Sequence, residues 1–381
     1  MLGINSNINS LVAQQNLNGS QSALSQAITR LSSGKRINSA ADDAAGLAIS
    51  TRMQTQINGL NQGVSNANDG VSMIQTASSA LSSLTSSLQR IRQLAVQAST
   101  GTLSSSDQAA LQQEVSAQIS EVNRIASQTT YNGTNILDGS AGSLTFQVGA
   151  NVGQTISLNL SQSMSAAKIG GGLVQTGQTV GTVSVSLTAS GVYTSAATPA
   201  ITAVNVLSDG QGGFTFTDQN NQAIASTVAA AIFSSGTAAG TGTAITTLAL
   251  SAGAESPGAA SAAQVAAVAQ IDAINAPPTV SNLNISNVTG ANEAMVSIDN
   301  ALQTVNNLQA SLGAAQNRFT AIATSQQAES TDLSSAQSQI TDANFAQETA
   351  NLSKAQVLQQ AGISVLAQAN SNPQQVLKLL Q

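Results

Sequence analysis

Few side chains in this sequence could do chemistry, and those few are poorly grouped for it. Asp42 and Asp43 are adjacent carboxylates, the pairing that general acid–base catalysis or a metal ion would use. Adjacent helical residues point about 100° apart, however, and nothing nearby completes a site. Arg30, Lys35 and Arg36 could hold an anion; a solvated loop, or an interface paired with the two acids, is the plainer reading. The stretch GTAAGTG (236–242) lacks the Lys-Ser/Thr of a phosphate loop and follows no convincing strand, so it reads as a flexible linker. The triplets that begin at Asn284 and Asn287 have the form Asn-x-Ser/Thr, which so Ser- and Asn-rich a chain produces by chance.

What is missing narrows the function further. The 381 residues include no Cys, no His and no Trp, and only 7% are charged. That removes disulfides, thiol chemistry, Cys or His metal sites and any imidazole base, so neither an enzyme nor a cofactor is expected. The balance of 11 basic and 17 acidic residues gives a net charge of −6, which argues against a nucleic-acid surface. No stretch approaches the ~20 apolar residues of a membrane span. The opening MLGINSNINS has neither the basic region nor the apolar run of a cleavable secretion signal.

The elements that must carry any function are helices at both ends. Between Val71 and Thr100 there is no Gly or Pro, and Val71, Ile74, Ala77, Leu81, Leu84, Leu88, Ile91 and Ala95 recur at threes and fours, the seam of a long helix. Leu111, Val115, Ile119, Val122 and Ile125 give a second helix that ends near Tyr131-Asn132-Gly133. The rhythm returns with Met295, Ile298, Leu302, Val305, Leu308, Leu312 and Phe319. Leu17, Leu24 and Leu31 form a thin seam in the first segment, and Leu352, Val357, Leu358, Val365 and Leu366 an apolar face in the last. These extremities bury little area against the entropy of ordering, so they are expected to become helical only beside other copies.

The middle is different in kind. Eighteen of the 30 glycines fall between Gly142 and Gly290, with only five charges among them. Alternation at Leu144, Phe146 and Val148 and then at Ile156, Leu158 and Leu160 predicts one β-hairpin; Val204 and Val206, the turn SDGQGG, and Phe214 and Phe216 predict another. Residues 259–276 read as a short helix. The fold class is therefore mainly α with a β-rich insertion: an elongated multi-domain chain whose terminal helices pair as a coiled-coil-like bundle.

On the long helix, Leu88, Ile91 and Ala95 share one side while Arg90, Leu94 and Gln97 fall on the other. Leu94 is thus apolar outside its own seam. It is either a stray surface leucine or part of a contact patch between subunits.

Longer motifs carry a resemblance. RLSSGKRINSAADDAAGLAIS (30–50), LQRIRQLAVQAS (88–99), EVNRIASQTTYNGTNILDG (121–139) and LTFQVGANVGQTI (144–156) closely resemble the N-terminal region of bacterial flagellin. AMVSIDNALQTVNNLQASLGAAQNRF (294–319) and the segment 350–380 resemble its C-terminal region, so the likeness spans roughly 1–165 and 290–381. It implies an inner helical domain of 1–45 with 335–381, a helical bundle plus β-hairpin of 46–165 with 290–334, and a variable, mainly β outer domain of 166–289. It also implies a structural subunit that polymerises into the hollow helical filament of the flagellum, for swimming. The junction protein between hook and filament, a relative with similar ends, is the alternative.

The resemblance further implies partners and residues. Self-association, the flagellar export apparatus with its chaperone, and the hook-associated junction and cap proteins are the bacterial partners; export would proceed without a cleaved signal to an extracellular filament. QRIRQLAVQ matches the patch read by the host Toll-like flagellin receptor at Gln89, Arg90, Leu94 and Gln97, with Glu114 on the next helix. Residues 29–50 are similar to the epitope of the plant flagellin receptor, with Arg30, Asp43 and Gly46 in place and Ala41 where a Lys often occurs. Val376, Leu377, Leu379 and Leu380 resemble the C-terminal determinant of inflammasome sensors, in the segment that the chaperone holds.

Overall fold

The computed structural model describes residues 7–174, 176–196, 198–235, 248–252, 254 and 259–379; the side chains of 235, 259, 260 and 372–379 are not among them. Helices α1 (Ile8–Ser33), α2 (Ala44–Ala98) and α3 (Ser105–Gln128) come first. Short strands β1 (Thr130–Tyr131) and β2 (Thr134–Asn135) follow, then β3 (Gly142–Gln147), β4 (Thr155–Leu160), β5 (Thr179–Leu187), β6 (Ile201–Ser208) and β7 (Phe214–Asp218). Helix α4 (Ser226–Ile232), strands β8 (Phe233–Ser235) and β9 (Leu248–Leu250) and helix α5 (Ala259–Asn275) complete the middle, and α6 (Val288–Thr341) and α7 (Phe345–Leu379) end the chain. The chain divides into two compact units. One comprises Met1–Asn68, Gln147–Thr155 and Ala321–Gln381; the other comprises Asp69–Phe146 and Ile156–Thr320.

In the first unit α1 packs against α7, starting from an Asn7 cap whose side chain accepts from the Ser10 amide. The seam is thin, as its sequence implied: Ala13 and Ala27 are the buried residues of α1, and Leu17, Leu24 and Leu31 are half-buried. Both segments are helical, and each supplies part of the other's cover. Gly362 of α7 faces Leu17 closely: an added Cβ would stand 3.2 Å from its Cδ1, tighter than an ordinary contact.

The joint between α6 and α7 has no Gly or Pro and was not foreseen as a break. It is made by capping chemistry: the Asn344 side chain accepts from the amides of Ala346 and Gln347. The connection from α1 to α2 lies across it, with the Arg36 amide donating to the Thr341 carbonyl at 2.7 Å and the Ala343 amide to the Gly34 carbonyl at 2.9 Å.

Helix α2 is longer than the Gly-free stretch that predicted it, because it continues through Gly59, Gly63 and Gly70. Interior glycines cost helix stability of about 1 kcal/mol each relative to Ala, but these admit close neighbours. A Cβ on Gly63 would overlap the Val148 carbonyl oxygen at the tip of the β3–β4 hairpin, and one on Gly59 would stand 2.9 Å from Ala150 Cβ.

The second unit holds the deep core. Ile74, Leu81, Leu84, Leu88 and Ile91 of α2, Val115 and Val122 of α3, and Ile298, Val305, Leu312 and Phe319 of α6 are sealed from solvent. Phe146 of β3 meets Phe319 edge to face, centroids 5.3 Å apart. The predicted Tyr131-Asn132-Gly133 turn is a two-residue hairpin with φ of 49° and 78° at Asn132 and Gly133, which the Asn-Gly pair tolerates. In the insertion, β5, β6 and β7 form an antiparallel sheet in which Val206 faces Phe216, as the second predicted hairpin requires. Helix α5 packs on β5, matching the predicted short helix, and Phe216 stacks on Phe233 at 4.8 Å. Strand β5 escaped the hairpin reading although Val183, Val185 and Leu187 alternate; two register irregularities interrupt its pairing. The linker expected at 236–242 lies outside the described residues.

Candidate interaction surface

Helices α1 and α7 expose what α2 and α6 bury. Ile8, Leu11, Val12 and Ile28 on α1 and Phe345, Val357, Leu358, Ile363 and Val365 on α7 all stand open to solvent, Leu11 at 72% and Val357 at 64%. Between the two helices runs an open groove of ≈ 580 Å³, with Ala13, Gly19 and Ala23 on one side and Leu358, Gly362 and Val365 on the other. Of the apolar face read in the last segment, Leu352 and Leu366 are half-buried while Val357, Leu358 and Val365 remain bare. Sequence reasoning missed Ile8, Leu11, Val12, Ile28 and Phe345. The four on α1 fall off the seven-residue row of Leu17, Leu24 and Leu31 and make no strong pattern among their polar neighbours. Clustered apolar side chains of this kind mark a contact surface.

The second site lies where α2 meets α3. Arg90 donates to Glu114, with Nε 2.8 Å and Nη2 2.6 Å from Oε1, and Gln89 and Gln97 are exposed beside them. Leu94 corrects the sequence reading: it is 1% exposed, neither stray on the surface nor open to a partner. The reason is α3. The exposed Arg90–Glu114 pair ties α2 to α3 one turn before Leu94. Arg92 turns to α6 instead and makes a bidentate pair with Asp299 at 2.7 and 3.2 Å; that bond raises the guanidinium's affinity for its proton.

The acidic and basic residues of 30–43 are structural groups. Asp42 Oδ2 accepts from the amides of Ser39 and Asn38 and from the Ser39 hydroxyl, and Gln26 donates to its Oδ1; the Ser39 amide chiefly, then Asn38, holds the carboxyl below the usual carboxylate range. Asp43 accepts from the Gly46 amide at 2.9 Å at the start of α2. Gly46 is buried, with no room for a side chain between Asp43 and Ile37. Arg36 donates to the Ile340 carbonyl, and Arg30 lies within 4.0 Å of both Asp42 and Glu348, the salt-bridged reading of the basic cluster. Among the described residues no three His, Cys, Asp or Glu groups gather to hold a metal ion. Val376, Leu377 and Leu379 fall in α7, but their side chains, and all of Leu380, lie outside the described residues.

A chain whose two ends pair as helices with apolar flanks turned to solvent belongs to the class of self-associating structural proteins. Comparison with known proteins gives the family. Residues 4–142 match the bacterial flagellin N-terminal helical region, 172–276 the flagellin D2 domain and 295–380 the bacterial flagellin C-terminal helical region. The chain is 36% identical over 392 residues to Flagellin B of Vibrio cholerae, covering 100% of this chain and 99% of that protein. It is 35% identical over 509 residues to the B-type flagellin of Pseudomonas aeruginosa, covering all of both. The solved structure of FliC from Burkholderia pseudomallei is 66% identical and aligns with a TM-score of 0.60 over 65% of this chain and 99% of that one. The chain belongs to the bacterial flagellins, the structural subunits of the extracellular filament that serves motility. Its whole-length flagellin relatives decide against the junction-protein alternative.

Proposed function

We propose that this flagellin assembles through the bare apolar flanks of α1 and α7, with 1–45 and 335–381 as the inner helical domain, 46–165 and 290–334 as the bundle around it, and 166–289 as the outer surface. The observation that carries this is the clustered exposure of Leu11, Val12, Val357 and Val365 beside the sealed rows Leu81, Leu84, Leu88 and Ile91 of α2 and Ile298, Val305 and Leu312 of α6. Burying one such side chain against a neighbour gains about 1.5–3 kcal/mol, and a head-to-tail contact whose rotation does not close generates an open filament. That role needs no catalytic group, cofactor or metal. Seeding purified subunit with short filament fragments tests it: elongation seen by electron microscopy is expected, and subunit that never adds to seeds contradicts it.

The finer partners follow from the same reading. The exposed Arg90–Glu114 pair, flanked by Gln89 and Gln97, suits recognition by a host Toll-like flagellin receptor, with Leu94 supporting it from beneath. Arg90→Asp sets two acids together and abolishes signalling by free subunit; full signalling would contradict the assignment. Arg30, Asp43 and Gly46 are engaged in the fold, so a plant receptor reads 29–50 once that segment is released. The end of α7, with Val376, Leu377, Leu379 and Leu380, serves the export chaperone and inflammasome sensors. Delivery uses the flagellar export apparatus, and junction and cap proteins bound the filament.

A further inference from the structure

The basic residues of this chain are placed where a protease cannot use them. Trypsin-like enzymes take a Lys or Arg side chain into a pocket with a carboxylate at its floor, and the backbone around it must lie open in the cleft. Exposed loops supply such backbone, whereas a helix or an enclosed segment has to open first. Of the 11 basic residues, eight lie within helices; Lys35, Arg36 and Lys168 do not.

Those three are tied down. Lys35 bridges to Asp342, the Arg36 amide donates to the Thr341 carbonyl, and Ile37 beyond it is buried. Lys168 precedes Ile169, which is sealed from solvent, donates its amide to the Ser165 carbonyl and accepts from the Val280 amide. Exposed irregular backbone exists elsewhere, at 100–102, 151–154, 189–190, 195–196 and 219–223, and carries no base. The run 169–317 has no Lys or Arg at all, yet it holds six acids. Asp209 and Asp218 stand in the turns that flank β7, so these turns tolerate a charge and only the basic sign is withheld.

We propose that the folded chain is a non-substrate for proteases that cut after Lys or Arg: the insertion escapes by keeping bases out of its exposed loops, and the rest by confining them to helices and bonded linkers. The extracellular place of the family gives such resistance a use. The property belongs to a single chain and stands whether or not the assembly reading holds.

Full-length monomer incubated with trypsin and read by mass spectrometry should keep residues 37–354 in one piece. Ser195→Lys and Gln222→Lys each set a base in an exposed loop, and each should be cut after the new Lys. A variant that had unfolded would also be cut after Lys168 and Arg318, so the fragments separate the two causes. Subtilisin, which needs no base, should nick the parent within 188–196 or 219–223. Trypsin cleavage of folded parent after Arg124, Lys168 or Arg318 overturns the proposal. It is equally overturned if both Lys variants resist trypsin as the parent does, or if subtilisin spares both loops, because packing would then be the shield.

Discussion

Helix α7 and the upper part of α2 are written in similar rhythms and end in opposite environments. Leu81, Leu84, Leu88 and Ile91 of α2 are wholly enclosed, while Val357, Leu358, Ile363 and Val365 of α7 are each about half exposed or more. The difference teaches that periodicity specifies a face to be covered without saying what covers it. For α2 the cover comes from α3, α6 and the β3–β4 hairpin of the same chain. For α7 the same chain offers one partner, α1, which is itself studded with Ser, Asn and Gln. One partner covers one flank of a helix, and the rest of α7's apolar face stands in solvent.

The contrast can be broken at its strongest point by truncating matching residues in each region. Phe319→Ala removes a fully buried ring and lowers stability by about 3–5 kcal/mol, whereas Leu11→Ala on α1 changes it by less than about 0.5 kcal/mol. Urea unfolding of the two variants checks this, and comparable losses would erase the distinction. A smaller effect probes the close approach of the hairpin tip. Gly63→Ala forces α2 from the Val148 carbonyl and costs about 1–3 kcal/mol, measured as a drop in Tm.

Proton linkage gives a weaker test that touches both regions. Asp42 in the first unit and Asp107 in the second have carboxyls held below their ordinary values, Asp42 chiefly by the Ser39 amide and Asp107 by the Ser104 hydroxyl that shares its capping box. A carboxyl with a depressed value in the fold adds stability above its unfolded value of about 3.9. That stability is lost as pH falls through the lower, folded value. Urea midpoints should therefore stay flat from about pH 5 to 8 and fall below about pH 4, and Asp107→Asn should flatten the acid limb. The smallest effect is at Asp272, whose carboxyl burial pushes upward against a hydrogen bond from the Leu248 amide. Here the sign reverses: the ionised form is disfavoured in the fold, so the cost is present at neutral pH. Asp272→Asn should raise Tm slightly at pH 7 and not at pH 3; an equal gain at both would point to packing instead.

Much of this was legible in the residues. The hairpins 144–160 and 204–216 announce themselves by period-two alternation around Gly-rich turns, and the helix of 259–275 by its unbroken Ala-rich run. Helix ends were harder. Gly59, Gly63 and Gly70 look like breakers, yet helix α2 runs through them because tertiary neighbours need the space. The α6–α7 joint has no breaker, only Asn344 in a position to cap. Leu94 shows why a helical wheel cannot assign a surface: the wheel finds the face opposite one seam but is blind to a second helix lying there. Arg90 and Glu114 were named through motif likeness alone; the geometry shows them paired, with Leu94 buried one turn further along α2. The bare flank of α1 was least legible, since isolated Ile8, Leu11 and Val12 among polar residues make no strong pattern.

Whether those flanks drive assembly is open to a direct measurement. Leu11→Asp with Val357→Asp places two charges on side chains that the folded chain leaves mostly in water, so helix content and the urea midpoint should match the parent. Offered to parental filament seeds at the same concentration, the double variant should fail to elongate them as seen by electron microscopy. Growth at the parental rate would contradict the account.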